Sequence, residues 1–188
     1  LKVAACSNPT CTSATITTVA SEGWVGSHNS IALGADNNPI ISYYTDDGSG
    51  IPGSVGVAAC SNPTCTSATL SQPDGGGGAG WNTSIAIGAD DIPVITYTNS
   101  SNMLVFAKCI DFTCASLPMT TVIHSSLGEA SQHAQTRGTQ VAVGTDGLPV
   151  ILKHDAASPF AVSVIECGNA QCSSGNSRVT IDDGVGAD

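Results

Sequence analysis

Every cysteine in the chain belongs to a Cys-x4-Cys pair, and the pairs recur at Cys6/Cys11, Cys60/Cys65, Cys109/Cys114 and Cys167/Cys172. The first cysteines of successive pairs stand 54, 49 and 58 residues apart. Around the first two pairs the wording Val-Ala-Ala-Cys-Ser-Asn-Pro-Thr-Cys-Thr-Ser-Ala-Thr occupies residues 3–15 and returns at 57–69, so these stretches must share one local structure. A tandem unit of this length implies supersecondary units stacked or arranged radially, because one such unit cannot bury its apolar face alone.

A second motif keeps step with the cysteines. Ile31-Ala-Leu-Gly-Ala-Asp36 with Pro39 is followed by Ile85-Ala-Ile-Gly-Ala-Asp90 with Pro93 and Val141-Ala-Val-Gly-Thr-Asp146 with Pro149. After each comes a short apolar run: Ile40 to Tyr44, Val94 to Tyr97, Val150 to Leu152. Val, Ile, Thr and Tyr crowd these runs, and no segment keeps helical spacing, so the chain reads as all-β.

Four strands fit each unit: a over 30–35, b over 39–44, c over 55–60 and d over 66–71 in the first full copy. Asp36-Asn-Asn-Pro39 and its counterparts Asp90-Asp-Ile-Pro93 and Asp146-Gly-Leu-Pro149 are hairpin turns between a and b. Strand a mixes bulky Ile31 and Leu33 with small Ala32, Gly34 and Ala35. That mixture predicts an innermost strand buried on both faces, with Gly34, Gly88 and Gly144 where neighbouring sheets approach closely.

These repeats resemble the four-stranded antiparallel blades of β-propellers. The Ser-Ile-Ala-Ile-Gly-Ala-Asp and Pro-Val-Ile-Thr-Tyr wording, with the Cys-x4-Cys hairpin, is similar to a group of bacterial secreted repeat proteins. The resemblance implies a propeller-like array of disulfide-stapled blades, half a blade plus three, and it leaves function open. No Trp-Asp dipeptide of the WD40 kind is present, nor a Ser-x-Asp-x-Gly-x-x-Trp box of the sialidase kind. The expected organisation is one array over 1–188, with units near 1–29, 30–83, 84–138 and 139–188.

Evenly spaced close cysteine pairs point to four local disulfides, and so to an oxidising, extracellular or cell-surface setting. Zinc is the rival reading, but no His recurs beside the pairs, which lie some fifty residues apart. The 188 residues carry 15 acidic against 5 basic side chains, formally −10, a surface that repels phosphate backbones. Nucleic acid is therefore a poor partner, and no apolar run is long enough for a spanning helix. Leu1 opens in a strand-like segment and the chain starts and stops mid-unit, from which a trimmed precursor or a section of a longer array is expected.

Candidate chemistry is sparse. His28, His124, His133 and His154 share no repeat position, and neither a Gly-x-Ser-x-Gly elbow nor a His-Glu-x-x-His motif occurs. The reading is a non-enzyme without cofactor or metal. Asp36, Asp90 and Asp146 recur and could offer oxygen to Ca²⁺, although an Asp that opens a tight turn explains the same pattern. Trp24 and Trp81, read as sitting in the loop before strand a, are candidate glycan contacts, with Asn29 and Asn82 as polar partners. Asn82-Thr-Ser84 and Asn99-Ser-Ser101 satisfy the N-glycosylation pattern.

Unfinished sheet edges favour pairing with further chain. The sequence thus predicts a non-catalytic extracellular structural protein that partners itself head to tail in a filament or surface assembly. The alternative is a lectin-like glycan-binding propeller module.

Overall fold

The computed structural model describes residues 1–46, 48, 53–74, 79–115, 119–123, 136–155 and 161–182, with residues 79, 119–122, 136 and 137 described by backbone alone. Fourteen strands are present among them: β1 (Lys2–Cys6), β2 (Ala14–Thr18), β3 (Trp24–Leu33), β4 (Pro39–Asp46), β5 (Ser54–Cys60), β6 (Ala68–Ser71), β7 (Ala79–Ile87), β8 (Pro93–Asn99), β9 (Leu104–Lys108), β10 (Met119–Val122), β11 (Thr136–Val143), β12 (Pro149–Asp155), β13 (Val162–Glu166) and β14 (Ser177–Asp182). They form a two-stranded sheet, β1-β2, and three four-stranded meanders, β3-β4-β5-β6, β7-β8-β9-β10 and β11-β12-β13-β14. Every pairing is antiparallel. The expected half blade and three full blades are what the strands build.

Strand a is longer than its apolar wording. It begins at residues 24, 79 and 136, which is six, five and three residues before the starts expected at 30, 84 and 139. Bulges at Val25/Ser27 and Ser27/Ser30 in β3, and at Ala79/Trp81 and Trp81/Ser84 in β7, break the alternation there. An unpaired extra residue hides a strand from any period-two reading.

Neighbouring sheets bury apolar faces on each other. Ile40, Val55 and Val57 of the second sheet meet Ile85, Ile95 and Tyr97 of the third. Val94, Leu104 and Phe106 of the third meet Val141, Ile151 and Ile165 of the fourth. Val3 of the half sheet packs with Ile41, Tyr43 and Ala58. The inner strand β7 lies between β3 and β11.

One repeat position reports the consequence. Ile85 and Val141 are 5% and 9% exposed, whereas the equivalent Ile31 is 58% exposed. Strand a buries this face where another strand a precedes it, and the half sheet supplies none; in β11 the other face, with Gln140 and Ala142, is exposed. The opposite face behaves likewise: Ile40 and Val94 are 0% and 1% exposed, and their counterpart Val150 in the fourth sheet is 38% exposed.

Hydroxyl latches stitch the sheets together. The Ser30 hydroxyl accepts from the Ile85 N–H at 3.2 Å, and the Ser84 hydroxyl accepts from the Val141 N–H at 3.0 Å. Buried Ser42 pairs with Thr83 at 2.9 Å, and Thr96 pairs with Thr139 at 3.1 Å. At the outer edge Thr17 donates to the Thr64 carbonyl at 2.9 Å, while Ser71 donates to the Thr113 and Cys114 carbonyls at 3.2 and 3.0 Å. The fourth sheet carries Gln140, Leu152 and Val179 at the three latch positions. Its outer face therefore lacks the hydroxyl latches of the interior joints.

Gly34, Gly88 and Gly144 lie one residue past the inner strand on which they were expected, at the start of the a–b turn, and at Gly34 the expected close approach of the neighbouring sheet is present, since an added Cβ would come within 2.5 Å of the Phe112 ring. There Gly88 donates to the Ile92 carbonyl at 2.9 Å, and a Cβ on Gly88 would come within 2.6 Å of the Asp90 carboxylate. Close approach also requires glycine at Gly80, whose φ is +100° and whose added Cβ would lie 2.6 Å from the Ser54 carbonyl oxygen in the preceding sheet.

Candidate functional site

The recurrent aspartates are absorbed by turns. Asp36, Asp90 and Asp146 accept from the N–H two residues on, at 2.9, 3.3 and 3.0 Å, and the next position holds the left-handed conformation in Asn37, Asp91 and Gly147 (φ 60°, 59° and 79°). Among the described residues no group of three or more His, Cys, Asp or Glu side chains converges. Asp47, Asp183, His124 and His133 lie outside the described residues, as does most of the connection from His124 to Thr139.

The cysteine pairs close one turn, repeated. Cys6–Cys11, Cys60–Cys65, Cys109–Cys114 and Cys167–Cys172 are disulfides with Cα separations of 4.9, 4.9, 5.0 and 4.7 Å. The second cysteine takes a left-handed φ, 51°, 52°, 53° and 50° in turn. Asn62 orders this turn by accepting from the Thr66 N–H at 3.2 Å, and Asn8 does the same with Thr12. The staples fix the connection between strands c and d.

The tryptophans require a correction. Both lie within strands, Trp24 opposite Asp46 and Trp81 opposite Thr98, and their repeat positions differ. Trp81 corresponds to Ser27, which pairs with Tyr44, because Tyr44 and Thr98 are equivalent. Trp24 is exposed at the start of β3. Trp81 instead stacks on Tyr44, ring centroids 6.3 Å apart and planes 15° from parallel. His28 meets the edge of the same Tyr44 at 6.3 Å. Burial first, then the Asp46 carboxylate that accepts from it at 3.3 Å, pushes the Tyr44 phenol up.

The glycosylation triplets also separate. Thr83 and Ser84 are buried and engaged in latches, and the half-buried Asn82 amide donates to Thr98 at 3.4 Å. Asn99 stands at the β8–β9 hairpin beside exposed Ser100 and Ser101, where its side chain accepts from the Ser101 and Met103 N–H groups at 3.0 Å each.

Asn29 and Asn82, the polar partners singled out in the sequence, line a cavity of about 350 Å³ between the inner strands, together with His28, Gln140, Leu152 and His154. Three repeats contribute the same stretch of strand a. His28 and Asn82 are equivalent, and both hold left-handed backbone, φ 50° and 54°. Thr83 pins this bulge by donating to the His28 carbonyl at 2.6 Å. The bulges turn side chains that would otherwise alternate toward the cavity. A repeat-phase comparison of residues 27–30, 81–84 and 137–140 was the available signal, weakened because each copy differs in chemistry.

A meander of four strands per sheet, sheets packed face to face, and inner strands gathered side by side define the architecture. The fold is propeller-like. Three solved structures share it. A protein of unknown function from Dyadobacter fermentans superposes with a TM-score of 0.64 at 9% identity, over 81% of this chain and 41% of that one. A GH43 glycoside hydrolase, engineered to show endo-xylanase and exo-arabinofuranosidase activity, gives 0.55 at 12% identity, over 85% and 29%. A bifunctional GH43-CE protein of Bacteroides eggerthii gives 0.52 at 9%, over 81% and 19%. The chain spans less than half the length of each, and identities this low speak to fold alone. No protein-family model matches the sequence, and no curated protein does.

Proposed function

We propose that this chain is a section of a non-catalytic extracellular structural assembly in which propeller-like blades stack head to tail. The observation that carries this reading is Ile31, 58% exposed at a position that is buried in both following sheets. Ile31 and Leu33 of β3 present an inner-strand face of the kind that β7 and β11 bury on their predecessors. The fourth sheet presents Val150, Leu152 and Val179 outward. A further blade covers each face, whether it belongs to the same polypeptide or to a second copy. Local disulfides suit a protein that works outside the cell.

The test is a paired substitution. Ile31→Ser with Leu33→Ser should convert associated 1–188 chains to monomers in sedimentation while leaving the melting transition cooperative. Unchanged association would remove this face from the assembly.

A second reading, glycan binding, is favoured by one specific observation, the polar inner-strand cavity lined by His28, Asn29, Asn82, Gln140 and His154. Screening the 1–188 chain on a glycan array tests it: selective retention supports the reading, and none at any glycan contradicts it.

A further inference from the structure

A cavity of about 540 Å³ lies along Val19, Val25, Tyr43, Leu70 and Gln72, and Tyr43 with its neighbour Ile41 belongs to the joint between the half sheet and the second sheet. It is a packing cleft. The inner-strand cavity differs, because side chains from three sheets converge there and nothing in the sheet packing requires amides and imidazoles at those positions.

We propose that the inner-strand cavity takes a neutral saccharide unit, held by His28, Asn29, Asn82, Gln140 and His154. The proposal rests on the glycan-binding reading and assigns the site to it, in place of the two tryptophans. Its volume lies in the range of small-ligand pockets, about 300 to 1,000 Å³.

Charge selects the ligand class. The chain carries 15 Asp and Glu residues, and among the described residues none lines the cavity. A cationic ligand would find no carboxylate there, and an anionic one would approach a molecule of formal charge −10. What the lining offers is amide, imidazole and hydroxyl, groups that donate and accept as sugar hydroxyls do. Asn29 is oriented for this role by its amide, which donates to the Gly26 carbonyl at 2.7 Å and fixes where its own oxygen points. Leu152, 40% exposed, gives the C–H face of a pyranose an apolar wall. It also replaces the Ser42 and Thr96 latch residues of the earlier sheets, so the change that loosens the fourth-sheet joint adds apolar surface at this cavity.

Backbone strain supports the same site. His28 holds a left-handed φ, and such residues persist where the surroundings over-determine them. Here the surroundings are the Thr83 bond to the His28 carbonyl and the Tyr44 edge contact.

The experiment titrates the 1–188 chain with neutral methyl glycosides and disaccharides of glucose, galactose, mannose, xylose, arabinose and N-acetylglucosamine. Binding is followed by calorimetry and by the His28 and His154 imidazole resonances. At least one saccharide should bind with a Kd of about 1 mM or tighter, shifting both imidazoles. His28→Gly and Asn82→Gly remove side chains while keeping a residue suited to left-handed φ, and each should weaken binding about tenfold or more. Gln140→Ala, at an exposed position, provides a third variant independent of the bulges. Binding that survives all three substitutions would overturn this site while leaving the glycan reading standing. No binding of any saccharide, in the titration or on an array, would overturn both.

Discussion

The Ser84 hydroxyl accepts the Val141 N–H across the gap between the third and fourth sheets at 3.0 Å, one repeat on from the same bond between Ser30 and Ile85. An inner strand has a backbone edge that no strand of its own sheet pairs. A serine of the preceding sheet supplies the acceptor, and a donor left unpaired there would cost more than the bond itself contributes.

Ser84→Ala removes that acceptor while leaving the N–H buried. The expected loss is about 1 to 3 kcal/mol in urea unfolding. A matching loss is expected for Ser30→Ala, and a change under a few tenths at both sites would mean that water replaces the latch.

Lys153 stands where the second and third sheets place Tyr43 and Tyr97, and it is 2% exposed. Its ammonium lies 2.7 Å from one Asp155 oxygen, and Arg178 lies 2.9 Å from the other. Asp155→Ala leaves a buried cation uncompensated and should cost about 3 to 5 kcal/mol. Replacing both, Lys153→Met with Asp155→Ala, should recover much of that loss; equal destabilisation of the single and double variants would contradict the coupling.

Gly80→Ala places a methyl against the Ser54 carbonyl at a φ of +100°, so backbone strain and overlap act together. The expected cost exceeds about 1 kcal/mol. Gly88→Val, which meets the Asp90 carboxylate within its own turn, should also destabilise, by about 1 to 3 kcal/mol. Melting temperatures equal to that of the unsubstituted chain would refute both contacts.

The Lys108 ammonium, 2.6 Å away, is the largest influence holding the Asp90 carboxyl below its usual range. A lowered folded pKa means stability that is complete above the unfolded carboxylate value, near 3.9, and is lost as pH falls through the folded one. The Asp90 side chain is 51% exposed, so solvent screening limits the effect to about 1 kcal/mol or less. Lys108→Met should reduce the acid-side slope of stability below about pH 4. It leaves the Asp111 contribution, which comes first from the Thr113 hydroxyl. An unaltered slope would dissociate Lys108 from Asp90.

The repeat made the fold legible. Pro39, Pro93 and Pro149 start strand b in the structure as in the sequence, and the cysteine pairs mark the c–d turn in every sheet. Strand a misled at its start because bulges at His28 and Asn82 interrupt the alternation. The glycines after it misled because a turn and a close-packed strand demand the same residue. The cavity stayed hidden because His28 and Asn82 share a place without sharing chemistry, and β11 lacks the bulge residue that would be their third copy. Trp24 and Trp81 had the converse fault, sharing chemistry without sharing a place. The latches were within reach, since Ser30/Ser84 and Ser42/Thr96 are hydroxyls in phase within otherwise apolar runs.

Blade-on-blade assembly is most directly tested by sedimentation equilibrium of the 1–188 chain over a wide concentration range, with electron microscopy of the same samples. Stacking through Ile31 and Leu33 at one end and Val150, Leu152 and Val179 at the other predicts concentration-dependent multiples of the monomer mass, seen as rings or filaments. Because the outer face of the fourth sheet is apolar, ammonium sulfate should strengthen the association. A monomer at every concentration, with and without sulfate, would contradict the account.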